Sequence, residues 1–510
     1  MKKILSTYGK AIVVLGFIWF SIRFTGIDLS LLIEGKGQFI EVLTQMVPPD
    51  TSYTGKIVHF LLDTITMSIV GTVSGTILAL FLSILCSNQF HRKNYVVAVL
   101  RFINNLIRTI PALILALLAT FLFGIGTFAG TMALLVYTTV ILTRIGYEDL
   151  DSKEFKAYHA ITASGVARSK AFVRTVLIEF LPGFLSNALY LLESNVRQAT
   201  ILGYVGAGGI GLLLNEKIAW RQYHKVGMVL CLLFVVVIFL EAVSMLLLKA
   251  ITYDGRRKHI FYLIGGVAVA VLYVCSLATT KIPSLQTSSV KIIGALLHGL
   301  SHPDLSLLFD LSEQGAGYLL LETISISFLG TLLGAFLAFG CSLLASTKLM
   351  PRPIAFAART VITAIRTVPI LIYGFVFIRV VGPGSFAGVL TLAVASIGLL
   401  SKRMIIAIDS MDYETYDAMK ATGVGTTKCL IRVLIPSILP HLVSAIGYRF
   451  DVNMREASIL GIVGAGGIGA PLIFAINHYQ WSQVGALLIG LIFVLFVIDH
   501  ATSRTRANTL

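Results

Sequence analysis

The chain has 510 residues, 56% of them hydrophobic and only 13% charged, with a net charge of +15 and a mean hydropathy of +0.88. Soluble domains average about 45–50% apolar and about 25% charged residues, so a water-soluble fold is excluded. The surplus of lysine and arginine is not a nucleic-acid footprint, because it falls in short stretches between apolar segments.

The apolar segments predict an all-α polytopic membrane protein; the ten-residue alternation of a membrane β-barrel is not visible. In chain order the predicted spans lie near 9–24, 57–86, 103–123, 130–146, 184–205 and 226–249, then near 260–278, 319–345, 362–381, 386–401, 442–463 and 484–499. The first is read as a retained span and not a cleaved signal, since no small-residue cleavage site follows it and Arg23 interrupts. The basic stretches near Lys2, His91–Asn94, Gly255–His259, Ser401–Arg403 and Ser503–Arg506 predict cytoplasmic loops. Both termini then face the cytoplasm. After each first span comes a polar outer stretch, 26–56 and 282–317, whose apolar-periodic piece ends at Pro49-Asp50 and Pro303-Asp304. Contact with an external partner and packing on the membrane surface both suit these segments. The five cysteines form no CxxC pair, so neither a disulfide framework nor zinc is expected.

The chain is two copies of one unit. Tyr158–Gly211 and Tyr416–Gly469 align without gaps at an offset of 258, with 24 of 54 positions identical. The repeats are taken as 1–250 and 251–510, each with six spans. An even number of spans gives both the same orientation, so the repeats are parallel, with a pathway expected between them.

The most informative loops lie between the fourth and fifth spans, at 150–183 and 403–441. The first contains "YHAITASGVARSK" from Tyr158 and the second "YDAMKATGVGTTK" from Tyr416. Each has a helical period, a glycine (Gly165, Gly423), a shared arginine nine residues later (Arg174, Arg432) and Leu-Pro at Leu181-Pro182 and Leu439-Pro440. Small residues at Ala160 and Ala418 let such a helix sit closely in a partner's groove, and the glycine permits a sharp turn. An ordinary interfacial hairpin has the same pattern, but the duplication favours a docking role.

These loops resemble the EAA loop of ABC importer membrane subunits. Asp417-Ala418-Met419 stands for the family's EAA, Gly423 for its glycine, and Pro436 follows thirteen residues later; His159-Ala160-Ile161 with Gly165 is the looser match. The stretches Asn195–Gly211 and Asn453–Gly469, with "AIRTVPILI" at Ala364–Ile372, are similar to phosphonate-type permeases. The resemblance implies a type I, methionine-importer-like permease fold of about twelve transmembrane helices in a bacterial cytoplasmic membrane. It implies an ATP-driven importer of phosphonate, phosphate or phosphite. Two copies of a cytoplasmic ATP-binding subunit would dock on the loops and an extracytoplasmic solute-binding protein would deliver cargo. Mg-ATP would be held by the partners; the chain itself would be no enzyme and hold no cofactor. His159, Ala160, Gly165, Asp417, Ala418 and Gly423 are the residues expected to couple.

The runs "ILGYVGAGGIG" (Ile201–Gly211) and "ILGIVGAGGIG" (Ile459–Gly469) follow. Neither is a phosphate cradle: the Walker lysine is missing, and an apolar helix rather than a strand precedes each. Gly206, Gly208, Gly209, Gly464, Gly466 and Gly467 form either a gate-lining loop at the outer mouth or a turn that returns the chain into the membrane. Just before them stand Glu193 and Arg197, Asp451 and Arg455, acid first at i,i+4. The arginines either offer a positive lining to an anion or neutralise the neighbouring acids. Arg108 and Arg366, three residues before Pro111 and Pro369, are expected at the cytoplasmic start of the third spans, as interfacial anchors or partner contacts.

Two other functions remain from the sequence: import of methionine or another small solute, and ion-coupled secondary transport through twelve spans. The latter gives the paired loops no duty. An enzyme is disfavoured by the lack of HExxH, GxSxG or a paired His/Cys constellation.

Overall fold

A computed structural model describes residues 2–90, 94–252, 258–280, 283 and 287–509. The basic stretches at 91–93 and 255–257 lie outside the described residues. The described chain is helical throughout. The first repeat runs α1 (Lys2–Phe24), α2 (Leu29–Glu34), α3 (Lys36–Gln45), α4 (Thr54–Leu85), α5 (Asn94–Thr109), α6 (Ala112–Phe123) and α7 (Thr127–Ser152). It continues with α8 (Lys156–Ala163), α9 (Arg168–Arg174), α10 (Val176–Leu202), α11 (Ile210–Ala219) and α12 (Tyr223–Thr252). The second repeat runs α13 (Lys258–Thr279), α14 (Thr287–Ser301), α15 (Leu305–Phe309), α16 (Ala316–Ala345), α17 (Arg352–Thr367), α18 (Ile370–Val381) and α19 (Ser385–Asp409). It closes with α20 (Glu414–Ala421), α21 (Thr426–Cys429), a π-helical turn (Leu430–Leu434), α22 (Ile435–Leu460), α23 (Gly469–Asn477) and α24 (Trp481–Thr509).

Eight helices among the described residues are long and apolar enough to cross a membrane, ten if each bent pair counts as one span. α1 and α13 add the shorter apolar stretches Val14–Phe24 and Gly266–Thr279. With each bent pair counted as one segment these correspond to the twelve expected segments, and Lys291–Ser301 is a further short apolar helix.

The expected third spans, 103–123 and 362–381, are not continuous. The chain bends by 90° between α5 and α6, and by 86° between α17 and α18. The cause is local. A residue before proline is pushed out of the α region, so α5 stops at Thr109 and α17 at Thr367. Pro111 and Pro369 sit as extended N-caps with ψ near 140°, not inside a first turn. α5 exposes Tyr95, Val96, Val99, Phe102, Ile103 and Leu106 while burying Val97 and Asn104. That division suits a helix lying along an interface rather than crossing it.

The chain forms two compact bodies. One comprises residues 45–293 and the other residues 1–44 with 294–510. In the first body α4 and α7 pack through glycine: a Cβ on Gly71 would lie 2.8 Å from the Leu134 Cβ, and one on Gly75 2.8 Å from the Thr138 Cβ. In the second body Gly330 and Gly334 do the same against Leu392 and Ser396 of α19, at 2.6 Å each. Small residues four apart allow backbones to approach where lipid supplies no hydrophobic driving force.

The first helix of each repeat lies with the other repeat's helices. Phe17 and Phe24 of α1 meet Phe328 and Tyr318 of α16, each with ring centroids 4.8 Å apart. Ser74 of α4 and Tyr273 of α13 share a hydrogen bond of 3.0 Å. The Pro-Asp corners fix the outer segments. Asp50 N–H donates to the His224 carbonyl and Asp304 N–H to the Ser482 carbonyl, both at 3.1 Å. Each aspartate also caps the turn after it, accepting from Ser52 and Ser306. The hydroxyl bond holds each carboxyl below the usual carboxylate value of 3.8.

Candidate functional site: coupling loops and glycine loops

Each repeat positions a short exposed helix after its fourth span. In the first repeat Phe155 is buried and Tyr158 packs edge-on against Phe90, centroids 5.7 Å apart. In the second, Tyr416 is buried in a cluster with Cys429, Leu434 and Ile438, and that burial pushes its hydroxyl pKa up. The anchored tyrosine turns the next two residues outward. His159, Ala160, Asp417 and Ala418 are all exposed. Gly165 (φ +89°) and Gly423 (φ +83°) then reverse the chain in the left-handed region, which costs an L-residue roughly 1–2 kcal/mol. The six expected coupling residues therefore form one matched exposed knob per repeat. α8 has no acid in its first turn, whereas α20 has Glu414 and Asp417.

Behind each knob is a clasp that sequence reasoning missed. Asp151, at the end of α7, accepts from the Ser87 hydroxyl at 2.7 Å and from the Asn88 N–H at 3.1 Å, and is paired with Arg101 of α5. Arg101 Nε donates to the Cys86 carbonyl at 2.7 Å. The second repeat repeats it: Asp409 accepts from Ser346 at 2.6 Å and Arg359 at 2.9 Å, and Arg359 Nε donates to the Ala345 carbonyl at 2.9 Å. The carboxy-terminal ends of α4 and α7 are thus tied to the middle of α5, and those of α16 and α19 to the middle of α17, a few residues before each knob. The matched Ser, Arg and Asp spacing was a usable signal.

At the other end of the fifth spans lie the glycine loops. α10 runs into a single 3₁₀ turn (Gly203–Val205), and Gly206, Gly208 and Gly209 follow with φ of +85°, +77° and +74°. The chain then continues as the ten-residue α11. Gly464, Gly466 and Gly467 take the same conformation, with φ of +87°, +80° and +80°. The loops are held by backbone and threonine. Gly126 N–H donates to the Gly206 carbonyl at 3.0 Å, and Gly384 N–H to Gly464 at 2.9 Å. Ile210 N–H donates to the Thr64 hydroxyl at 2.8 Å, and Ile468 N–H to Thr323 at 3.1 Å. Gly211 and Gly469 face carbonyls so closely that a Cβ would lie 1.9 Å from the Thr200 or Ser458 oxygen. Glu322 accepts from the Ser385 hydroxyl beside the second loop.

The structure closes each predicted i,i+4 pair. Arg197 meets Glu193 at 2.7 Å and Arg455 meets Asp451 at 2.9 Å, with both acids buried. Between acid and arginine stands a buried asparagine in each repeat. Asn195 donates to the Thr72 and Thr138 hydroxyls, both at 2.8 Å. Asn453 donates to Thr331 at 2.8 Å and to Ser396 at 3.0 Å. These bonds stitch the fifth span to the second and fourth within each repeat. The second repeat adds Arg449, which is 1% exposed and bonds Ser396 through Nε at 2.9 Å and Glu456 through Nη2 at 2.7 Å. An arginine inside an apolar segment was the legible sign. Among the described residues no three His, Cys, Asp or Glu converge on a metal-sized site.

Such an arrangement suits transmission rather than covalent chemistry. One helix, α10 or α22, joins an exposed knob at one end to a glycine loop at the other. Relatives share this length of chain. The sequence is 27% identical to "Phosphate-import permease protein PhnE" of Mycolicibacterium smegmatis over 490 residues, 94% of this chain and 90% of that one. It is 28% identical to "Putative phosphite transport system permease protein HtxC" of Stutzerimonas stutzeri, over 52% of this chain and 93% of the relative. Among solved structures it matches a chain of the MetNI methionine ABC transporter at TM-score 0.33 and 20% identity, over 43% of this chain and 98% of that one. The model of binding-protein-dependent transport system inner membrane components matches twice, at residues 71–279 and 330–503, so the chain is a multi-pass membrane protein of that family carrying two copies of its domain.

Proposed function

We propose that this chain is the membrane-spanning permease of an ATP-driven importer for phosphonate or a related phosphorus oxyanion, phosphate or phosphite. The observation that carries the reading is the matched pair of exposed helix–glycine–helix knobs, Lys156–Arg174 and Glu414–Arg432, on a chain whose relatives include permeases named for phosphate and phosphite. In this reading two cytoplasmic ATP-binding subunits hold Mg-ATP and push on the knobs. An extracytoplasmic solute-binding protein delivers the anion, and the pathway runs between the repeats. Both termini face the cytoplasm, as the positive-inside distribution favours. The glycine loops line the outer gate, and Arg197 and Arg455 contribute positive lining, each tempered by its paired acid.

The test is reconstitution of the chain with its ATPase subunit and binding protein in liposomes. Saturable, ATP-dependent uptake of labelled phosphate or methylphosphonate is expected. Uptake of methionine with no response to phosphorus oxyanions overturns the substrate class. Uptake that needs an ion gradient and no ATPase overturns the reading itself.

A further inference from the structure

The two knobs are alike in backbone and unlike in charge. Residues 154–174 carry four basic side chains and one acidic one, while the matched residues 412–432 carry three of each. The difference is concentrated on the exposed helices. α20 has Glu414 and Asp417 in its first turn and Lys420 in its last, an order that follows the helix dipole. α8 presents His159 where α20 presents Asp417, and both residues are exposed. Asp417 makes no ion pair among the described residues. The His159 ring rests edge-on against Tyr158, centroids 5.4 Å apart. Both sites have an eight-residue helix followed by a left-handed glycine at the same distance, so the two first helices are presented alike while their charges differ.

We propose that the two docking faces are unequal: the second knob holds its ATPase subunit through a charge-assisted contact from Asp417 to a cationic group, while the first holds an identical subunit by shape and small-residue packing alone. The proposal rests on the permease reading above. A permease built from two identical chains must offer its two motor subunits the same face. A fused chain is free of that constraint. Here only the second knob carries the anchored acid, and a carboxylate desolvated in a groove gains most when a guanidinium or ammonium meets it. The motor dimer would then be retained chiefly at one end.

The experiment uses the full chain co-purified with its ATPase subunit in nanodiscs, reading ATPase retention across a sodium chloride series and substrate-coupled ATP hydrolysis. Asp417→Asn is expected to lower coupled hydrolysis about tenfold and to flatten the salt dependence of retention. His159→Asn is expected to lower coupled hydrolysis by a clearly smaller factor than Asp417→Asn and to leave the salt dependence of retention as it is. Asp417→Glu should keep most of the coupling, because it preserves the charge. Equal losses from Asp417→Asn and His159→Asn, or a larger loss from the histidine, overturn the proposal. So does a collapse of Asp417→Glu to the level of Asp417→Asn. If the unaltered chain retains no ATPase subunit, the permease reading itself fails; the unequal-docking proposal alone fails when retention is normal and the two substitutions act alike.

Discussion

Arg449 and Glu456 stand two turns apart on α22 and meet at 2.7 Å, whereas the matched positions of α10 hold Leu191 and Gln198. The arginine side chain is 2% exposed and the glutamate 16%. Breaking such a pair strands a charge, while replacing both members with packed neutral residues is often harmless. Glu456→Gln alone is therefore expected to destabilise the chain by about 3–5 kcal/mol. Arg449→Leu with Glu456→Gln copies the first repeat and should recover most of that loss. Thermal unfolding in detergent, followed by the monodisperse fraction, distinguishes the two. A double variant less stable than the single one contradicts the account.

Glycines in the two repeated motifs should respond differently. A methyl group at Gly469 would sit 1.9 Å from the Ser458 carbonyl oxygen, inside the turn that joins α22 to α23. At Gly423 the space is open and only the positive φ resists. Gly469→Ala should yield little folded chain, since overpacking against backbone costs about 3 kcal/mol or more. Gly423→Ala should fold, at a cost of roughly 1–2 kcal/mol. Expression and melting of the two variants side by side check this, and equal behaviour would count against the close approach.

The arginines of the fifth spans are tested by transport. Arg197→Gln with Arg455→Gln removes the cations that pair with Glu193 and Asp451 near the proposed pathway. Uptake of an oxyanion should fall by about tenfold or more, with KM rising, because each removed cation contributes on the order of 1.4 kcal/mol. Conversion of all four residues to neutral isosteres should restore folding but not anion uptake. Unchanged uptake in an intact double variant removes the lining role and leaves the pairs as neutral struts.

The outer corners supply a pH prediction. Asp50 and Asp304 have their pKa lowered below 3.8 by the serine hydroxyls they accept from. A carboxyl depressed in the folded state adds stability above its unfolded value, and that contribution is lost as pH falls through the folded value. Protease accessibility of the outer segments should therefore be flat from about pH 5 to pH 8 and rise only below about pH 4. Asp304→Asn should raise accessibility at neutral pH. Loosening between pH 6 and pH 7 would contradict this account.

Much of this architecture was readable from residue order. Segment length and hydropathy marked the spans, and the offset of 258 marked the duplication. The acid–arginine spacing on α10 and α22 anticipated contacts that the structure closes. What periodicity could not deliver were the bends before Pro111 and Pro369. The amphipathic α5 and the apolar α6 abut in sequence, so a hydropathy window merges them, and only the restriction on Ile110 and Val368 marks the break. Asn195 and Asn453 escaped notice because a polar residue in an apolar run declares neither its partners nor their distance. Those partners, Thr72, Thr138, Thr331 and Ser396, come from helices more than fifty residues away. The Arg101–Asp151 clasp was hidden for the same reason.

The placing of residues 1–44 with 294–510 has a bearing on how the gene could be cut. Severing the polypeptide between α12 and α13 would give two fragments, each missing a strap that its own body needs and carrying one belonging to its sibling. The amino-terminal fragment would leave the Ser74 side of α4 bare, and the carboxy-terminal fragment would leave Phe328 without Phe17. Neither product should behave as a tidy half when made alone, and co-translation of the two should rescue both, so continuity of the peptide here acts as built-in stoichiometry.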